Sequence, residues 1–375
     1  MRRDKSVRSK KENHPDTLSN KLTRREALST GAKIGIAAGV AAVVAGVGGY
    51  FGGLASVPAK EVVKTIKETV TQTVGGAGIF GKGYRFSYVT HGGEENVFWN
   101  SVMLGMKEAA QLVGADAVML RPKKEGDLAQ ESANFESTIA ERPDGIVVPI
   151  AYLELLPLVK KATDAGIPVI VHNIDAPNAE DRIKAGGLSF IGQDLDFAGY
   201  FLAKTLSKYF KPGGHALILI EGPGQVWAEE RAKGIIQFLK EYNTTYERLD
   251  VGFDLALVES RTSAYLQANP QTTAVFSVGY TAPIAGKVLQ SMGRKPGEVA
   301  IGTFDLVPLV IDGIKSGYTT IAIDQQPYLQ GFLPIIQLTL MKKYGLSAWD
   351  VNTGNAIVDQ SNVSKVEELS KKGYR

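Results

Sequence analysis

The chain has 375 residues, 44% hydrophobic and 22% charged, an ordinary globular balance with length for two domains with full cores, which excludes the disordered and fibrous classes. The formal charge of +3 is unevenly placed: residues 1–59 hold ten of the 42 Lys/Arg and four of the 39 Asp/Glu, leaving 32 against 35 beyond them and no basic field for nucleic acid. Cysteine is absent, which excludes disulfides, thiol nucleophiles and cysteine metal sites, and the histidines at 14, 91, 172 and 215 stand singly rather than at metal-ligand spacing, so neither a metal nor another cofactor is expected.

Residues 1–20 are polar and basic, and Thr23-Arg24-Arg25-Glu26-Ala27-Leu28 then precedes an uncharged run from Ile34 to Ala55 and a small-residue stretch, Val57-Pro58-Ala59. That order reads as an export signal over 1–59. The paired arginines resemble a twin-arginine signal, with Ala27 and Ser29 where that pattern has Phe and Lys. The 22-residue run is also long enough to span a hydrocarbon core of about 30 Å, so an uncleaved anchor in the membrane is the rival reading. Either places the remainder outside the cytoplasmic membrane. Val63, Ile66, Val70 and Val74 have helical spacing and a glycine-rich run to Gly83 follows, so 60–83 is expected to be a stalk and linker.

From Tyr84 onward the pattern is strand, polar loop, helix, repeated. Tyr84–Thr90 alternates aromatic and β-branched residues, His91-Gly-Gly-Glu-Glu breaks the strand, and Asn96–Ala110 resumes with helical spacing. Asn96 is the expected cap, with Val97, Met103, Met106 and Ala110 inward and at least one of Phe98 and Trp99 turned toward the loop. Short apolar runs without alternation follow near 116–120, 145–149 and 168–172, then an irregular segment, then 215–220, 248–251, 274–278, 299–302 and 319–323, as expected of strands covered on both faces. Helical patterns alternate with them up to a long one from Pro327 to Lys342. Two doubly wound parallel sheets are the economical α/β solution.

The loops after the strands collect Glu94, Glu95 and Asn96 with Phe98 and Trp99; Asn173 and Asp175; Gln225, Trp227 and Arg231; Asp305; and Gln325 and Gln326. In an open parallel sheet these share the end where ligands bind. Indoles, amides, carboxylates and a guanidinium suit a neutral polyhydroxylated ligand with an apolar C–H face. Each also has a structural alternative: Asn173 and Asp305 as helix caps, Arg231 paired with Glu229 or Glu230, Gln325 serving backbone groups before Pro327. Glu221-Gly-Pro-Gly224 hints at a phosphate loop, but Trp227 stands where a third glycine belongs.

Asn96-Val-Phe-Trp, Gly166–Asn173, Gly192-Gln-Asp194 with Gly199, Arg231-Ala-Lys-Gly234, Gly302-Thr-Phe-Asp305 and Asp324–Gly331, in that order, resemble the type I sugar-binding proteins of ABC importers over roughly 84–359. The resemblance implies a sugar or similar polyol as ligand, an ABC permease as partner and no catalysis. It implies ligand contacts at Asn96, Phe98, Trp99, Asn173, Arg231, Asp305 and Gln325, and less directly at Gln225, Trp227, Asp175 and Phe253. It also implies two lobes joined by three hinge crossings, near Gly192, Gln325–Gln326 and Gly354: 84–192 with 327–353, and 193–326 with 354–375. The family's ribose binders have Asp-Arg where this chain has Asn173-Ile174, and Asn where it has Gly279-Tyr280, which argues against ribose itself. A nucleoside or a signalling furanose is the alternative ligand. A glycosidase using Glu94 or Glu95 with Asp175 or Asp305 is the rival class.

Overall fold

The computed structural model describes residues 83–375, so the expected export signal, anchor and stalk lie outside the described residues, apart from Gly83. The first sheet is built from β1 (Arg85–Val89), β2 (Asp116–Leu120), β3 (Gly145–Val148), β4 (Val169–Asn173) and β5 (Phe190–Gly192), with α1 (Phe98–Val113), α2 (Leu128–Glu141), α3 (Leu156–Asp164) and α4 (Ala179–Lys184) between them. The second comes from β6 (His215–Ile220), β7 (Thr245–Asp250), β8 (Thr272–Ser277), β9 (Ala300–Phe304) and β10 (Ile321–Asp324), with α5 (Leu195–Leu206) leading in and α6 (Val226–Glu241), α7 (Leu255–Ala268), α8 (Pro283–Ser291) and α9 (Pro308–Lys315) between. The chain closes with α10 (Pro327–Tyr344), β11 (Val351–Asn352), β12 (Ala356–Val358) and α11 (Val363–Lys371).

The sheet orders are β11-β5-β4-β3-β1-β2 and β12-β10-β9-β8-β6-β7, parallel throughout except that β12 runs against β10. Central strands such as Gly145-Ile-Val-Val148 are buried along their whole length, while β2 and β7 at the edges are half exposed. The chain passes from the first sheet to the second after β5, returns after β10 and passes again after β11.

Glycines set how closely helices approach. A Cβ on Gly331 of α10 would lie 1.8 Å from the Val102 carbonyl of α1, and one on Gly199 of α5 would lie 2.0 Å from the Arg231 carbonyl of α6. The same device thus locks one helix pair in each lobe, and in the second it fixes the backbone of a site residue.

Several local expectations are corrected. Helix α1 starts one residue later than Val97, so Val97 is 49% exposed and the buried face runs through Phe98, Val102, Gly105, Met106 and Ala109. Asn96 nevertheless makes the expected capping bond, accepting from the Phe98 N–H (3.1 Å), and Val97 between them has helical backbone angles (φ −66°, ψ −20°). The segment after Asp175, expected to be irregular, contains α4. The lobes are closed on each other: Val226 N–H of the second donates to Ala151 O of the first at 3.0 Å, and Ala151 and Ile174 share an apolar cluster with Leu195, Val226 and Trp227. Among the described residues no helix is long and apolar enough to cross a membrane.

Candidate ligand-binding site

The site is assembled at strand ends. Asn173 ends β4 with φ 61° and Asp305 follows β9 with φ 65°, both in the left-handed region that Asn and Asp tolerate better than other residues with side chains. Such conformations cost on the order of 1–3 kcal/mol and collect where surrounding structure holds a side chain for use. Here they direct both side chains to the joint between the lobes rather than into helix caps. Asn173 Nδ2 donates to Gln330 Oε1 (2.8 Å) and Gln325 Oε1 (3.4 Å), and Gln325 Nε2 donates to Asp305 Oδ1 (2.6 Å).

The same network ties the three crossings together. Gln330 Nε2 donates to Gln325 O (3.2 Å) and Thr353 Oγ1 (3.1 Å), while Gln193 Nε2 donates to Gly354 O (3.1 Å) and Asn355 Oδ1 (2.6 Å). Arg231, 3% exposed, donates from Nη1 to Val278 O and from Nη2 to Gln193 Oε1, each at 2.8 Å. It does not pair with Glu229, whose partner is Arg248 at 2.8 Å, nor with Glu230, which pairs with Lys233. Its guanidinium lies over the Phe304 ring at 3.9 Å, and its Nε–H is buried without a protein partner. Burial lowers its pKa to about 10, opposed by the nearby Asp305 and Glu221, so it stays charged.

Between the lobes lies a cleft of about 450 Å³, counting the part open to solvent. One wall carries His91, Phe98 and Trp99, with Trp99 edge-on to Phe98 at 5.4 Å and to His91 at 5.2 Å. The second lobe contributes Trp227, Phe253 and Tyr280 in succession, 6.1 and 6.4 Å apart. Asn96, Glu125, Asn173, Arg231, Asp305 and Gln325 supply the polar groups. Burial pushes His91 down to about 3 and His172 behind it to about 4, so both rings are neutral; burial also pushes the Asp305 carboxyl up, opposed by Arg231 and Gln325.

Nine of the residues singled out from the sequence therefore line this cleft: Asn96, Phe98, Trp99, Asn173, Trp227, Arg231, Phe253, Asp305 and Gln325. Asp175 and Gln225 do not. The Asp175 carboxylate takes Arg182 Nε at 2.9 Å, in a group completed by Asp350, and Gln225 Oε1 accepts from the Trp227 indole N–H at 2.6 Å, orienting that ring from behind. Glu95 is likewise turned to the Glu125 N–H (3.0 Å), and Glu221, in the suspected phosphate loop, accepts from the backbone N–H groups of Gly279 and Thr281. The cleft is also lined by His91, Glu125, Ile174, Leu195, Gly279 and Tyr280, which the sequence does not single out as ligand contacts.

A two-lobed α/β clamshell with aromatic walls and hydrogen-bonding groups at its joint defines the class of proteins that close on a small solute. The chain belongs to the periplasmic binding protein family, whose domain matches residues 86–343. It is similar to the xylose/arabinose-binding protein XylF of Sulfolobus acidocaldarius, with 28% identity over 284 residues, 72% of this chain and 69% of that one. Among solved structures it resembles a carbohydrate transporter protein of Acidothermus cellulolyticus in complex with myo-inositol: 29% identity, TM-score 0.69, covering 78% of this chain and all of that one. It also resembles a periplasmic sugar-binding protein of an ABC transporter from Legionella pneumophila, with 29% identity, TM-score 0.66, and coverage of 72% and 99%.

Proposed function

We propose that the protein is the extracytoplasmic solute-binding component of an ABC importer, and that it captures a small sugar or sugar-like polyol between its lobes and delivers it to the permease. The observation that carries this reading is the pairing of two aromatic walls with a carboxylate and a guanidinium that each keep one group uncommitted. Asp305 spends one oxygen on Gln325, and Arg231 leaves its Nε–H free of protein partners. A polyol presents apolar C–H faces to rings, hydroxyl donors to carboxylates and oxygen acceptors to a guanidinium.

The lobes are assigned as 84–192 with 327–353 and 193–326 with 354–375, and residues 1–59 as an export signal or membrane anchor. Groups from both lobes meet the ligand only when closed, so it binds that state better and shifts the population toward it. The relative named for xylose and arabinose and the similar structure in complex with myo-inositol set the first panel. In a thermal-shift screen of these with hexoses, glucosides and nucleosides, a polyol should raise the melting temperature by mass action. A shift by nucleosides alone would replace the reading, and hydrolysis of a glucoside would put the protein among enzymes. N-terminal sequencing of the native protein distinguishes a cleaved signal from an anchor.

A further inference from the structure

The loop between β2 and α2, Arg121-Pro-Lys-Lys-Glu-Gly-Asp127, looks in the sequence like a solvated charge run. It is instead clasped onto the 91–96 loop. Glu94 N–H donates to Pro122 O (3.0 Å), Gly126 N–H to His91 O (3.1 Å), and Glu125 N–H to Glu95 Oε1 (3.0 Å). Arg121 closes the clasp by donating to the carbonyls of Gly92 (3.2 Å), Gly93 and Asn96 (2.7 Å). This holds the Glu125 side chain, 8% exposed, in the wall of the cleft beside Asn96 and His91.

The two oxygens of Glu125 are not equivalent. Oε2 accepts from Gly93 N–H (2.8 Å) and Asn96 Nδ2 (3.1 Å). No donor among the described residues reaches Oε1; His91 Nε2, at 3.9 Å, is beyond hydrogen-bond range. Asp305 shows the same asymmetry on the second lobe.

We propose that Glu125 is a specificity-determining residue, whose Oε1 accepts a hydrogen bond from a ligand hydroxyl at the 91–96 end of the cleft. The inference rests on the polyol reading above. A ligand with a donor hydroxyl there satisfies an acceptor that the ligand itself buries, while its deoxy counterpart covers Oε1 and leaves it unpaired, so the deoxy compound is rejected on the order of tenfold or more.

A purely structural Glu125 would behave differently with pH. The groups facing it are His91, Glu95, Arg121, Glu131, Tyr152 and Tyr280, of which His91 is neutral. Burial, with a smaller contribution from Glu95, pushes Glu125 up to about 7 against the hydrogen bonds from Asn96 and Gly93 and the charge of Arg121. A ligand hydroxyl that donates to it favours the ionised form, so affinity is full above that value and falls as pH drops below it.

The test is calorimetric titration of xylose, arabinose and myo-inositol, with their monodeoxy analogues, into the wild type and Glu125→Gln between pH 5.5 and 8.5. The amide oxygen can still accept from Gly93 and Asn96, so the fold is preserved; Glu125→Asp, which keeps the charge but withdraws it by one methylene, is the second variant should the first fold poorly. Expected are a tenfold or greater loss of affinity in Glu125→Gln, loss of discrimination against one deoxy analogue, and a fall of wild-type affinity below about pH 7 that Glu125→Gln does not share. Unchanged affinity and selectivity in both variants, or a flat wild-type pH profile, would overturn the role of Glu125 while leaving the polyol site intact. Failure of every polyol to bind the wild type would overturn both.

Discussion

Replacing Arg231 with methionine separates the ligand's use of this side chain from the protein's own. The apolar side chain fills a similar volume over Phe304 but leaves Val278 O and Gln193 Oε1 without the donors that sit 2.8 Å from each. Two unpaired buried acceptors cost about 1–3 kcal/mol each, while removal of a buried guanidinium recovers desolvation energy, so the net loss of stability is about 1–4 kcal/mol, or several degrees in Tm. The ligand loses the Nε–H, which has no protein partner to fall back on. One ligand oxygen left unpaired costs about 1–3 kcal/mol, which weakens Kd roughly 5- to 150-fold. Calorimetric titration of the best polyol into folded Arg231→Met measures this directly. Because Gln193 also holds Gly354 and Asn355, the variant should in addition weaken ligand-induced closure, read as a smaller decrease in radius of gyration. A Kd within twofold of wild type, with the fold intact, would refute the placement of the ligand between the lobes.

Trp99→Phe should reduce the ligand-induced change in tryptophan fluorescence and weaken binding severalfold, since Trp99 lines the cleft while only 1% exposed; unchanged affinity would return it to a packing role. Gly331→Ala places a Cβ 1.8 Å from the Val102 carbonyl, so α1 and α10 must separate; overpacking of about 1–3 kcal/mol should lower Tm by several degrees, and an unchanged Tm would refute the close-packing argument. Glu131 is fully buried with neither oxygen partnered, and burial pushes it from 4.5 to about 8, so between those values the folded chain keeps a proton that the unfolded chain has released. Stability from this group therefore falls as pH rises through that window, by up to about 1.4 kcal/mol per pH unit, and the advantage of Glu131→Gln over wild type in Tm should grow from pH 5 to pH 8. A difference independent of pH would refute that burial.

The alternation of strands and helices was legible because its signals are physical and local. Apolar runs without alternation belong to strands covered on both faces, and β2, α2, β6 and α6 begin and end where the sequence pattern places them. The elements that escaped carry little of that signal. Helix α4 is Ala-Glu-Asp-Arg-Ile-Lys, whose one buried residue is Arg182, and α11 buries only Val363. Strand β12 has three residues and is held by pairing with β10, a contact that no local pattern encodes. At the start of α1 the cap is legible in Asn96, whereas the inward face is not: Val97 is 49% exposed, and Phe98 and Trp99 take the buried positions.

At the site, residue type identified which loops matter but could not say which oxygen each side chain would leave free. Asp175 and Asp305 are both carboxylates just past a parallel strand; Arg182 claims one, and Gln325 claims only half of the other. Glu125 was hidden by its neighbours Lys123, Lys124 and Asp127, whose charges suggest solvent, whereas its position follows from a clasp to a loop 30 residues earlier in the chain. The glycines at 199 and 234 show the converse. They stand out in the sequence near ligand residues, yet their role is to let α5 and α6 meet at backbone distance, where Cβ atoms would lie 2.0 Å from Arg231 O and 1.9 Å from Asp196 O. Packing in the second lobe and presentation of Arg231 are thus one constraint, and Arg231 in turn holds Gln193 at a crossing. A substitution that loosens that helix pair reaches the hinge and the ligand through the same guanidinium, which is why residues that look like scaffold in this lobe are expected to change affinity as well as stability.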